Sequence, residues 1–127
     1  MRTLWSLILV FVTPICYANY DPKPIMNCIE ASVGLTMISA MGHNPDMEKV
    51  RDYDSKADDL IDMLAAVIAE RGRSETPKEI KSMAQGHAIS VRRKKGIERA
   101  KKNWEINFHS VKFNNLGGQT CEQFSES

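Results

Sequence analysis

The chain has 127 residues, 43% of them hydrophobic and 26% charged, with 17 Lys plus Arg against 16 Asp plus Glu. It is too apolar for a disordered tail, and its length points to one ordinary domain and away from a multidomain enzyme. Seven Gly and five Pro, without a period, exclude collagen-like, low-complexity and repeat architectures.

Residues 1–18 read as a secretory leader. Arg2 gives a short positive start, 4–12 is apolar apart from Ser6, and Cys16 and Ala18 stand three and one positions before a cut after Ala18. The apolar run is roughly half the ~20 residues that a membrane-spanning helix needs. Residues 19–127 are then a single exported domain, periplasmic or secreted. The lack of an Asn-x-Ser/Thr sequon tilts the reading toward the periplasm. Cleavage removes Arg2 and Cys16, so acidic and basic residues balance, and Cys28 and Cys121 remain. Two cysteines in an exported domain predict one disulfide, Cys28–Cys121. It would enclose most of the mature chain, and the chain-entropy model gives such a closure about 4–5 kcal/mol.

In chain order, 19–24 is an extended lead-in stiffened by Pro22 and Pro24. The first helix is predicted over 25–41, stopped by Gly42. It is apolar nearly all round, with Glu30 its only charge, which marks a buried helix at the centre of a bundle. Asn44 and Pro45 then predict the cap and first residue of a second helix running to about Arg71 and ending at Gly72. Met47, Val50, Ala57, Ile61, Leu64 and Ile68 form its stripe, widened by Leu60 and Val67 and interrupted by Asp54.

Thr76, Pro77 and Glu79 start a third helix by capping box and N-terminal proline. Ile80, Met83, Ala84, His87, Ala88 and Val91 carry its apolar face, and Gly96 predicts a break or kink. Residues 104–113 fit either a helix face or strand alternation; with no second strand visible, helix is favoured. Residues 114–118 are a break, and 119–124 a short turn presenting Cys121. The predicted fold is all-α: a small bundle of three main helices plus a short C-terminal segment, its ends joined by one disulfide.

Residues 45–70 carry eight acidic and three basic side chains, and 71–102 carry eleven basic and three acidic. If helix two folds back on helix three around residue 74, Asp54 meets Lys94 and Asp46 meets Lys102. The opposite charges then select antiparallel pairing. His87 reads as a core or boundary histidine, with a His87–Asp54 contact as the sharper alternative; His43 reads as a helix cap. Glu105 and His109, four apart, make half a metal site at best, and Asp52, Asp54, Asp58 and Asp59 read as a solvated helix face. No metal, cofactor or catalytic motif is expected.

The sequence therefore predicts a non-catalytic, exported helical module that binds another protein, such as an immunity protein, inhibitor or accessory subunit. Its candidate partner surface is Arg92, Arg93, Lys94, Lys95, Arg99, Trp104 and Phe108, an aromatic-plus-arginine combination typical of binding hot spots. Export and balanced charge argue against nucleic acid. The alternatives are a membrane-surface binder using 92–102 and a small enzyme using Asp54, His87 or Glu105. In size, export and single-disulfide character the chain is similar to exported all-helical immunity proteins, a likeness of class carried by no motif.

Overall fold

The computed structural model describes residues 20–126; the expected leader and its cleavage site lie outside the described residues. The described chain is mostly helical, with five α-helices and one two-stranded ribbon. These are α1 (Pro22–Ser39), α2 (Met47–Glu70), α3 (Pro77–Lys95), α4 (Ile97–His109), β1 (Lys112–Phe113), β2 (Gln119–Thr120) and α5 (Cys121–Ser125).

α1 begins earlier than the sequence suggests. Asp21 caps it, its carboxylate accepting the Lys23 backbone N–H at 3.0 Å. Pro22 and Pro24 fall in the first turn, where the amide protons have no partner inside the helix, so their missing N–H groups cost nothing there. α1 packs against α2, α3 and α4. That explains its nearly continuous apolar surface: Ile25, Cys28, Ile29, Ala31, Val33 and Leu35 are all buried.

The cap of α2 is Asp46 instead of Asn44. Its side chain accepts the Lys49 N–H at 3.1 Å, while its own N–H donates to the Ser39 carbonyl at 2.9 Å and ties the start of α2 to the end of α1. From Ala57 onward the predicted stripe is the buried face: Ala57, Leu60, Ile61, Leu64, Val67 and Ile68. Its first two members are not in the core. Met47 is exposed and Val50 half-buried, because the first turn of α2 runs past the end of α1. α3 carries the predicted capping box, Thr76 and Glu79 each bonding the other's backbone N–H.

The expected third helix is two helices. Gly96, at φ +87° and ψ 159°, stands between α3 and α4 in a region of backbone space essentially reserved for glycine. The helical expectation for 104–113 holds only to His109. Lys112 pairs with Thr120 and Phe113 with Gln119 in an antiparallel ribbon, so the second strand missing from the sequence reading is the dipeptide Gln119–Thr120. Two residues per strand leave too short a run for alternation to register. Gly117 and Gly118, both at positive φ, close the loop, and Leu116 inside it is fully buried.

Cys28 on α1 and Cys121 at the start of α5 form the disulfide, their Cα atoms 5.4 Å apart across a sequence separation of 93. Both are buried. Thr120 and Gln123 make a second capping box for α5. Phe124 then packs edge-on against Tyr20, with ring centroids 5.1 Å apart.

Candidate functional site

The predicted charge register between α2 and α3 is not the one formed. Counted from residue 74, Asp54 would meet Lys94. Its partner is Lys81, whose ammonium lies 3.0 Å from Asp54 and 3.0 Å from Asp58. The reason is which helix α3 follows. Lying on α1 as well as α2, it sets His87 against Glu30 of α1 and Arg92 against Met41, the Arg92 guanidinium donating to Met41 Sδ at 3.4 Å. His87 is thus on the surface, its side chain 70% exposed and its partner Glu30 instead of Asp54.

The cations where α3 ends and α4 begins are paired with no acid of the described chain. Among the described residues, Arg93, Lys94, Lys95, Arg99, Lys101 and Lys102 enter no ion pair with another described residue, and all are exposed. The bend at Gly96 gathers them where α3 ends and α4 begins. The predicted surface loses its aromatic part: Trp104 and Phe108 are 2% and 0% exposed. They occupy the same stripe of α4 as Ala100, which faces α1. The basic residues alone remain available at this end.

A second polar cluster, which the sequence reading missed, joins α2, α4 and α5. Tyr53 Oη is hydrogen-bonded to His109 Nε2 at 2.8 Å, and His109 Nδ1 lies 3.3 Å from Glu122. Glu122 continues to Lys56 at 3.2 Å, and Lys56 also meets Asp52 at 3.2 Å and Glu126 at 3.7 Å. Only Glu105–His109 spacing hinted at a role for His109, and Glu105 is not its partner. Glu122 is 66 residues from Lys56, a separation that no local spacing rule reaches.

The titration of this cluster follows from its geometry. Burial raises the Tyr53 hydroxyl, with the nearby carboxylates Glu105 and Glu122 adding to it. Burial alone would lower Lys56, but its bonds to Asp52 and Glu122 outweigh that and raise it. Burial likewise opposes ionisation of Glu122, and the hydrogen bonds with His109 and Lys56 prevail, holding its carboxyl below the ordinary value.

An apolar cleft of about 330 Å³ lies between the N-terminal ends of α1 and α3 and the C-terminal end of α2, floored by Leu64, Ile68 and Ile80. At its rim Arg73 bonds Glu75 at 2.6 Å, and that bond holds the Glu75 carboxyl below its usual range. The rim charges Asp21, Lys23, Arg73 and Glu75 cancel, so the cleft selects neither sign. Among the described residues, no group of three or more His, Cys, Asp and Glu is arranged to hold a metal ion. No described helix is long and apolar enough to cross a membrane. Compared with protein-family models, curated proteins and solved structures, the chain matches none.

Proposed function

We propose that this chain is an exported, non-catalytic helical module that works by binding an anionic partner through its basic end. The observation that carries the reading is the set of six exposed cations, from Arg93 to Lys102, left unpaired by the described residues while Lys56 and Lys81 are each held by two or more acids. Unpaired charge of one sign, concentrated at one end, steers an oppositely charged partner and fixes its orientation. The buried Cys28–Cys121 link supports an oxidising compartment. A leader cut after Ala18 is part of the same proposal.

A second reading treats Tyr53, His109 and Glu122 as a hydroxyl–imidazole–carboxylate relay. The alignment favours it, but the raised Tyr53 hydroxyl works against it, because an activated nucleophile needs a lowered pKa. Asp54, His87 and Glu105 do not converge: Lys81 holds Asp54, and Glu30 holds His87.

The test is a photo-activatable cross-linking residue at position 94 in the exported protein. One reproducible adduct, lost when Arg93, Lys95 and Arg99 are changed to Glu, is the expected result. No adduct, or one indifferent to those charges, removes the reading. The intact mass of the exported protein, measured with and without reductant and alkylation, tests the Ala18 cleavage and the disulfide together.

A further inference from the structure

The basic end also collects apolar side chains. The exposed large hydrophobics of the described chain are Met41, Met47, Met83, Ile97 and Ile106. Three of them stand where α1 ends, α2 begins, and α3 meets α4: Met41 is 40% exposed, Met47 50% and Ile97 44%. Two contacts hold these element ends together, the Asp46 N–H to the Ser39 carbonyl and the Arg92 guanidinium to Met41 Sδ. A shallow crevice here has Met41, Asp46, Lys49, Tyr53, Lys101 and Glu105 among its lining residues. Residues 92–102 carry seven cations against Glu98. Asp46, Glu48 and Glu105 are further acids of this end, with Glu30 lining a crevice beside Lys95; Asp46 is committed to capping α2 and Glu30 to His87.

We propose that this end seats on an anionic lipid surface. Met41, Met47 and Ile97 enter the headgroup layer, and Arg93, Lys94, Lys95, Arg99, Lys101 and Lys102 contact the lipid phosphates. The inference rests on the reading above, that the basic end is the working surface, and names its partner.

Three features favour lipid over an acidic protein. Protein interfaces are anchored by rigid aromatics, but Trp104 and Phe108 on α4 are in the core, and Tyr53, which lines the crevice, is half-buried with its hydroxyl engaged by His109. Lysine is depleted at protein interfaces, whereas lysines around protruding apolar side chains suit a surface without fixed geometry. The flank of α2 and α5 is net acidic, with Asp52, Asp59, Asp62 and Glu126 around one crevice against the single cation Lys56, so an anionic membrane disfavours that side and turns the basic end inward. With no described helix fit to span a bilayer, the molecule lies on the surface.

The test is flotation of the exported, disulfide-intact protein with phosphatidylcholine vesicles, with and without phosphatidylglycerol. Binding to the mixed vesicles at low salt, release by high salt, and no binding to phosphatidylcholine alone are expected. Changing Arg93, Lys94 and Arg99 together to Gln lowers affinity roughly a hundredfold, since each cation near such a surface is worth about 1 kcal/mol. Changing Met41, Met47 and Ile97 together to Ser weakens binding at least about tenfold and leaves its salt sensitivity. If that variant folds poorly, Ile97→Trp in the native background gives the same information: its added emission shifts blue on the mixed vesicles and is quenched by brominated lipid.

Absence of binding, equal binding to neutral vesicles, or an Ile97→Trp emission unchanged by vesicles overturns the inference. If vesicles fail while position 94 still cross-links to one protein, the lipid partner falls and the wider reading stands. If both fail, both fall.

Discussion

The indole of Trp104 packs onto the bare Cα of Gly34: a Cβ there would stand 2.5 Å from Cδ2 and 2.6 Å from Cε3 of the ring. No real Cβ tolerates such contacts, and the ring is buried in the core of a close-packed molecule. Gly34→Ala is expected to cost at least about 1–3 kcal/mol through overpacking. The same substitution in a Trp104→Phe background costs less, because the smaller ring yields space. Urea unfolding followed by far-UV circular dichroism, run as a double-mutant cycle, checks both statements. Equal costs in the two backgrounds would contradict the contact.

This contact also shows what sequence alone conveys. Gly34 was legible as part of a helix buried at the centre of a bundle, and Trp104 as the start of a segment that fits a helix face. That they meet, 70 positions apart along the numbering, was not. Local signals placed the starts of α2 and α3 within a few residues, the break at Gly96 and the stripe of α2 from Ala57 onward, because caps, glycines and periodicity act within a turn or two. The charge register failed for a related reason. It assumed α3 follows α2 alone, whereas contacts with α1 put Lys81 on Asp54 and left Lys94 free among the described residues. The Tyr53–His109–Glu122–Lys56 cluster joins three elements and has no local signature. The disulfide was legible because, with residues 1–18 read as a leader and set aside, only two cysteines remained to pair.

That disulfide is expected to matter strongly for stability. It joins positions 93 apart, and constraining so long a loop in the unfolded chain is worth about 4–5 kcal/mol. Since folded domains hold only about 5–15 kcal/mol in total, the Cys28→Ser/Cys121→Ser protein should be marginal at ambient temperature. Urea titration of the oxidised protein, the reduced protein and the double variant should place the last two together, well below the first.

The cluster around Lys56 sets limits in pH. Glu122 titrates below its ordinary value of 4.5 in the folded protein. Its contribution is therefore complete above about that pH and is lost as pH falls through the lower folded value. Lys56 is shifted the other way, above 10.5, so its share is present below that pH and lost as pH rises through the folded value. Glu122 is 38% exposed, so solvent weakens the effect and a modest slope is expected. Urea midpoints should decline from neutral pH toward about pH 3. Glu122→Gln should flatten part of that acid limb and also weaken the alkaline limb, because Glu122 is one of the two acids whose bonds raise Lys56; Asp52 keeps the remainder. An acid limb identical in the variant would show that the stabilisation comes from other carboxylates.

Gly96 decides whether the cations form one surface. At φ +87° and ψ 159° it has no steric alternative among side-chain-bearing residues, and nothing lies within 4 Å of where its Cβ would be. The penalty for Gly96→Ala is thus backbone strain alone, of order 1–3 kcal/mol, without a clash to confuse it. Straightening α3 into α4 would relieve the strain, but it would draw Trp104 and Phe108 out of their places against α1. The buried stripe of α4 therefore opposes that escape, and the variant is expected to keep its bend and lose stability. The measurement pairs urea unfolding with the fluorescence of Trp104, the sole tryptophan among the described residues 20–126, in a protein lacking the proposed leader, which carries Trp5. A lowered midpoint with unchanged native emission is expected. A red-shifted native emission would mean that the two helices had fused and the core had opened at Trp104.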